Sequence, residues 1–205
     1  MSWISKNNYL TESEMQNNAL LVKSYLVSKG WSINAIAGML GNMESESNIN
    51  PGLWQSLDYG NMSGGYGLVQ WTPATNFTNW ADANGYAWDD GNAQLKWIDE
   101  ETVNTGQWIS TSLYPFSFET FKTSSEPPAY LASAFLKNFE RAGIEVEDAR
   151  RENARKWYEY ITGHDAPDEP SEPSEPSTPS KTKKHKYNFL LMNASRRRKQ
   201  WTNRN

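Results

Sequence analysis

The chain has 205 residues and no cysteine, which excludes a disulfide framework and any thiolate-held metal. Its two histidines, His164 and His185, both lie beyond the last helical pattern. A Ser-His-Asp triad and a histidine-bound zinc are thereby excluded from the folded part, and neither cofactor nor metal is expected. No GxxxxGK-Ser/Thr loop for cradling a phosphate occurs. No run of about 18 apolar residues is present, so no membrane span is expected. The first ten residues, MSWISKNNYL, lack the basic start and sustained apolar core of a secretory signal. With thiol and imidazole removed, carboxyl groups are the acid–base chemistry that remains.

Charge of one sign is also scarce where it matters. From Lys181 to Asn205 there are nine Lys or Arg and no acid, which leaves residues 1–180 with 11 basic against 24 acidic groups, a net of −13. Five of those acids lie between Asp165 and Glu175, so residues 1–163 carry about −8. An acidic domain is a poor match for nucleic acid, whose binding leans on phosphate neutralisation.

Composition divides the chain into three parts. Residues 1–163 alternate apolar stripes with turn signals and form the candidate catalytic domain. Residues 164–180 contain DAPDEPSEPSEPSTPS, an acidic Pro/Ser/Glu-rich linker with nothing larger than Ala to bury. Residues 181–205 are a basic tail whose short apolar run from Tyr187 to Met192 cannot fold alone. The tail reads first as a disordered basic segment and second as a contact for anionic cell-wall polymer.

Within the domain, Thr11-Glu-Ser-Glu14 is a capping box ahead of Met15, Ala19, Val22 and Leu26, and Gly30 closes that helix. Ser32 caps a second helix striped by Ile33, Ile36, Ala37, Leu40 and Met43, with Pro51-Gly52 expected to stop it. Gly67-Leu-Val-Gln-Trp71 reads as a brief extended run, part of a small β-hairpin after the turns at Asp58–Asn61 and Ser63–Gly65. Further helices are expected from Thr72 or Thr75, over Asp89–Val103, Ala129–Gly143 and Glu147–Ile161. The fold class is α+β, mostly helical.

The stretch GNMESESNINPGLW…GGYGLVQWTP places two carboxyl groups, Glu44 and Glu46, at the end of the second helix. At about 100° per residue, Glu44 falls in mid-stripe and Glu46 at the stripe's edge. A mid-stripe carboxylate without a partner is costly, whereas an edge position is half dry and still reaches a substrate. Periodicity does not choose between them.

Glu46-Ser47-x-x-Asn50-Pro51 followed by Gly67-Leu-Val-Gln70 resembles the paired motifs of the lysozyme and lytic-transglycosylase superfamily. The longer string resembles the phage tail lysozyme family, and the resemblance covers roughly residues 3–163. It implies a lysozyme-like fold in which the β-hairpin forms one wall of a cleft. It also implies a muramidase that cuts the β-1,4 bond between N-acetylmuramic acid and N-acetylglucosamine, with Glu46 as general acid.

The animal enzymes of chicken type carry a second carboxylate where this chain has Gly65, leaving Asp58 as the candidate and an ordinary turn as its other reading. Glu140 has two readings also, a cleft-facing carboxyl and a pair with Arg141, the latter favoured. Trp54, Tyr66, Gln70 and Trp71 are the candidate sugar contacts, each aromatic having a second reading as core. With one acid only, the substrate's own 6-hydroxyl is a competing nucleophile, so a lytic transglycosylase is the alternative, and a non-catalytic glycan-binding tail component a third. The expected partners are the peptidoglycan glycan strand and other phage tail proteins. The expected location is the virion tail acting on the host wall, or the host cytoplasm until lysis for a free endolysin.

Overall fold

The computed structural model describes residues 1–141 and 146–168. Helix α1 (Glu12–Ser28) starts as the capping box predicts: Thr11 accepts from the Glu14 backbone N–H, and the Glu14 carboxylate accepts from the Thr11 N–H at 2.8 Å. Lys6 adds an ion pair to the same carboxylate at 2.6 Å, which holds it down at about 2 against an ordinary 4.5. Gly30 follows the helix at φ +84°, a left-handed position that costs glycine nothing.

Helix α2 (Ile33–Ser47) is the axis of the fold, capped by Ser32 onto the Ala35 N–H at 3.0 Å. Every residue from Ala35 to Met43 is buried, so it is a central helix rather than an amphipathic surface one. Two glycines make the fit possible. A Cβ at Gly41 would stand 2.4 Å from the Arg150 carbonyl oxygen, and one at Gly38 would stand 2.9 Å from the Ala132 nitrogen. The helix stops at Asn48, which adopts φ 55° and sends its N–H back to the Glu44 carbonyl. The expected stop at Pro51-Gly52 is therefore three residues late, because the left-handed cap ends the helix first.

The rest of the helical body is α3 (Thr75–Asn84), α4 (Gly91–Asn104), α5 (Phe118–Lys122), α6 (Pro128–Phe135) and α7 (Glu147–Thr162). The expected single helix over Ala129–Gly143 is instead α6 followed by a π-helical turn, Leu136–Glu140, that ends at Arg141 with φ 56°. Helices α6 and α7 pack on α2 and on each other, and one hydrophobic cluster runs from Leu10 to Ile161.

The β-hairpin is not found. Among the described residues there is no named strand, only isolated bridges pairing Trp54 with Tyr66 and Tyr66 with Trp71. Gly67–Gln70 is a turn closed by the Gln70 N–H on the Gly67 carbonyl at 3.1 Å, not an extended run. The physical reason is positive φ at Gly67 (77°) and Gln70 (49°), which curls the chain so that Leu68 and Val69 enter the core. Gln94 of α4 replaces the missing ladder: its amide donates to the Pro51 and Trp88 carbonyls at 2.7 Å each, and its oxygen accepts from the Leu68 N–H at 2.8 Å. No described helix is long and apolar enough to cross a membrane. The basic tail 181–205 and the linker beyond residue 168 lie outside the described residues.

Candidate active site

The last turn of α2 sets the geometry of the site. Ser47 joins it to the looped layer, its hydroxyl reaching the Leu68 carbonyl at 2.9 Å and accepting from the Asn50 N–H at 3.2 Å. Asn50 in turn ties down the N-terminal segment by donating to the carbonyls of Lys6 (2.7 Å) and Asn8 (2.8 Å). The Glu-Ser-x-x-Asn motif thus works as a fastener around the carboxylate it contains.

Glu46 is 20% exposed in its side chain and takes an ion pair from Arg150 of α7 at 2.5 Å. Arg150 is 5% exposed in its side chain and also donates to Asn42 Oδ1 at 2.9 Å. Asn42 completes the chain of contacts by donating to the carbonyls of Gly38 and Ala132 at 3.0 Å. Glu44 points elsewhere and does have partners: Lys156 Nζ and Trp157 Nε1 both donate to it at 2.7 Å. That pairing removes the cost expected for a mid-stripe carboxylate, and Glu44 lines none of the cavities at the cleft.

Two cavities meet at Glu46. One of about 300 Å³ is lined by Glu46, Val69, Gln70, Trp71, Phe139 and Glu140 among others. The second, of about 250 Å³, shares Glu46, Gln70 and Thr72 with the first and adds Tyr9, Leu53 and Trp54. Gln70 is held on the wall by donating to the Leu53 and Gly67 carbonyls at 3.1 Å. Trp71 is mostly core, stacked on Phe77 at 4.7 Å, and its indole Nε1 is buried without a hydrogen-bond partner. Trp54 likewise is 3% exposed and lies tilted against Tyr66, their ring centroids 4.3 Å apart.

Of the sequence-predicted contacts, Trp54, Gln70 and Trp71 are brought to the two cavities that contain Glu46. Tyr66 is not. It opens with Trp54, Tyr59 and Trp88 onto a third cavity of about 300 Å³ that Glu46 does not line, and burial pushes its phenol above the ordinary value. Asp58 lies in an exposed turn where it accepts from Asn61 Nδ2 at 3.0 Å, and it lines none of the three cavities.

Glu140 is on the cleft side, contrary to the favoured reading. Arg141 donates instead to the Gln107 carbonyl. The Glu140 residue is partly exposed, yet its Oε1 is sealed from solvent and has no hydrogen-bond partner. Burial pushes its carboxyl well above the ordinary 4.5, the Glu46 carboxylate pushes it further, and Arg150 and Arg141 offset part of the shift. Arg150, Asn42 and Gln94 carried no local signal in the sequence, because their partners are 104, 90 and 26 residues away. Among the described residues no cluster of three or more His, Asp or Glu could hold a metal.

Comparison with known proteins gives the family. A relative named Morphogenesis protein 1, from Bacillus phage B103, is 48% identical over 159 residues. The match takes in 78% of this chain and 43% of that protein, so this chain spans less than half of its relative's length. The family model described as phage tail lysozyme matches residues 17–161, from within α1 to the last turn of α7 and including Glu46. With the Glu-Ser motif at the cleft and the match running the length of the helical body, the chain belongs to the phage tail lysozyme family.

Proposed function

We propose that the chain is a muramidase that hydrolyses the β-1,4 bond between N-acetylmuramic acid and N-acetylglucosamine in peptidoglycan, with Glu46 as the proton donor. The observation that carries the reading is the position of Glu46, at a helix end, half-dry, and common to both cavities of the cleft. A glycan laid across the two cavities has its bridging oxygen near Glu46, the one carboxyl group they share. Arg150 occupies one oxygen of Glu46 and fixes the carboxyl plane. The other oxygen is then the one available to the substrate.

In its protonated form Glu46 gives its proton to the bridging oxygen as the C1–O bond breaks; the carboxylate left behind is the form paired with Arg150, and it takes back a proton as water adds to the sugar cation. Trp54 and Trp71 line the cavity walls with the small part of each ring that is left uncovered, and Gln70 lines both cavities where an amide meets sugar hydroxyls. The family membership and a relative named for morphogenesis support a site of action on the phage particle, with other tail proteins as neighbours.

The test is purified protein on isolated peptidoglycan. Clearing that is abolished in Glu46→Gln with an unchanged melting curve is the expected result, and full activity in that variant rejects the assignment. Mass spectrometry of the fragments separates hydrolysis, which adds water to the new end, from transglycosylation, which leaves an anhydro end.

A further inference from the structure

Glu140 is a side chain of the cleft whose environment the proposed reaction leaves unexplained. It lines the same cavity as Glu46, it is delivered there by the π-helical turn after α6, and one of its oxygens is buried without any partner. Natural structures seldom leave a buried polar atom unsatisfied, and where they do the atom calls for an explanation, a role in the site's chemistry being one. The charged groups that face it are Glu46 from α2, Arg150 from α7 and Arg141 just past the turn. The hydrogen bonds of both arginines go elsewhere, Arg150 to Asn42 and Glu46 and Arg141 to Gln107, while Arg150 Nε is buried without a partner.

We propose that Glu140 is a substrate-contacting residue that holds an oxygen of the sugar beside Glu46 through its own carboxyl O–H. This rests on the glycan-cleaving reading and deepens it. A charged carboxylate at this place would set a second negative group beside Glu46 and leave a buried anion without a donor. The neutral acid removes both costs. It also offers a donor on a wall whose amides are committed: Gln107 Nε2 is already bonded to the Phe139 carbonyl, and Gln70 Nε2 to Leu53 and Gly67. A carboxylic acid kept protonated by its surroundings so that it can donate is an established device of enzyme sites. Glu140 thereby serves as a sugar-binding group, not as the missing second carboxylate.

Glu140→Gln keeps a donor and cannot ionise; Glu140→Met keeps the length and removes the donor. Both are made in full-length protein that keeps Glu46, and cutting is blocked by joining the sugars through sulfur in place of the bridging oxygen. Binding of an N-acetylglucosamine hexamer is followed by calorimetry from pH 5 to pH 9. We expect Glu140→Met to weaken binding about tenfold and Glu140→Gln to recover most of that loss. With Glu140 intact, affinity is highest where the acid is protonated and falls as pH rises through its raised value, and in Glu140→Gln that fall is absent. Equal binding by the Met variant, or a Gln variant as weak as the Met one, overturns the proposal, and so does a pH profile that Glu140→Gln leaves unaltered. Wall clearing by the wild type, measured alongside, keeps the two readings apart. Failure to clear with pH-dependent binding intact sinks the hydrolase and spares Glu140, and clearing with pH-independent binding does the reverse.

Discussion

A guanidinium bonded at once to Asn42 and Glu46, and only 5% exposed in its side chain, has almost no freedom to relax if one partner is lost. Its positive charge balances Glu46 directly, and it also offsets part of the shift at Glu140. Replacing Arg150 with Met removes the charge and keeps most of the volume. Breaking a largely buried pair costs more than the pair contributes, because the remaining charge stays behind. Glu46 keeps some access to water, so we expect a loss of roughly 2–3 kcal/mol in urea unfolding. The same variant is expected to lower wall-clearing more than the stability loss explains, since Glu46 is no longer held in one plane. Wild-type activity in a folded Arg150→Met protein would show that this fixation is dispensable.

At the scale of the element, α2 makes the site because it can be approached closely. Gly41 lets the first turn of α7 sit against it, and that closeness is what brings Arg150 to Glu46. A methyl group at Gly41 would meet the Arg150 carbonyl oxygen at 2.4 Å and Ala154 at 2.8 Å, both backbone atoms that cannot rotate away. Gly41→Ala gains helix propensity of about 1 kcal/mol, but overpacking a tight core contact costs about 1–3 kcal/mol and a shifted helix besides. We expect a lower melting temperature together with reduced clearing, whereas a more stable and fully active variant would mean that α7 is free to move. The sequence made α2 legible through Ser32, its apolar stripe and the Glu-Ser motif, all of them local signals. It did not reveal which partner each glutamate would find, because Lys156 and Trp157 reach Glu44 across 112 and 113 residues. The looped layer was misread for a related reason. Gly67-Leu-Val-Gln-Trp71 has the composition of a strand, and a left-handed Gln70, held by its own side-chain bonds to Leu53 and Gly67, turns it. The π-helical turn that aims Glu140 into the cleft leaves no mark in periodicity either, since Leu131, Ala134, Phe135 and Phe139 fit an ordinary helix.

For the whole molecule, the described core runs from Leu10 to Ile161, and the Ser-Glu-Pro repeats that follow it in the sequence have the composition of a linker. Deleting residues 169–205 is therefore expected to leave the melting temperature of the domain in place. What the deletion changes is charge. The nine Lys or Arg between Lys181 and Asn205 stand without an acid, against a domain of about −8, so the deleted chain would be repelled by the anionic polymers of a cell wall and the full chain drawn to them. Screening decides whether that attraction is electrostatic. Raising salt from about 0.1 M to 1 M shortens the Debye length from about 10 Å to about 3 Å, and co-sedimentation of the full chain with walls rich in anionic polymer should fall accordingly. Walls stripped of that polymer should retain the full and the shortened chain equally, through the cleft alone. If the shortened chain instead sediments as well as the full one on unstripped walls at low salt, the tail has no part in wall attachment, and the positive charge must be sought a use elsewhere.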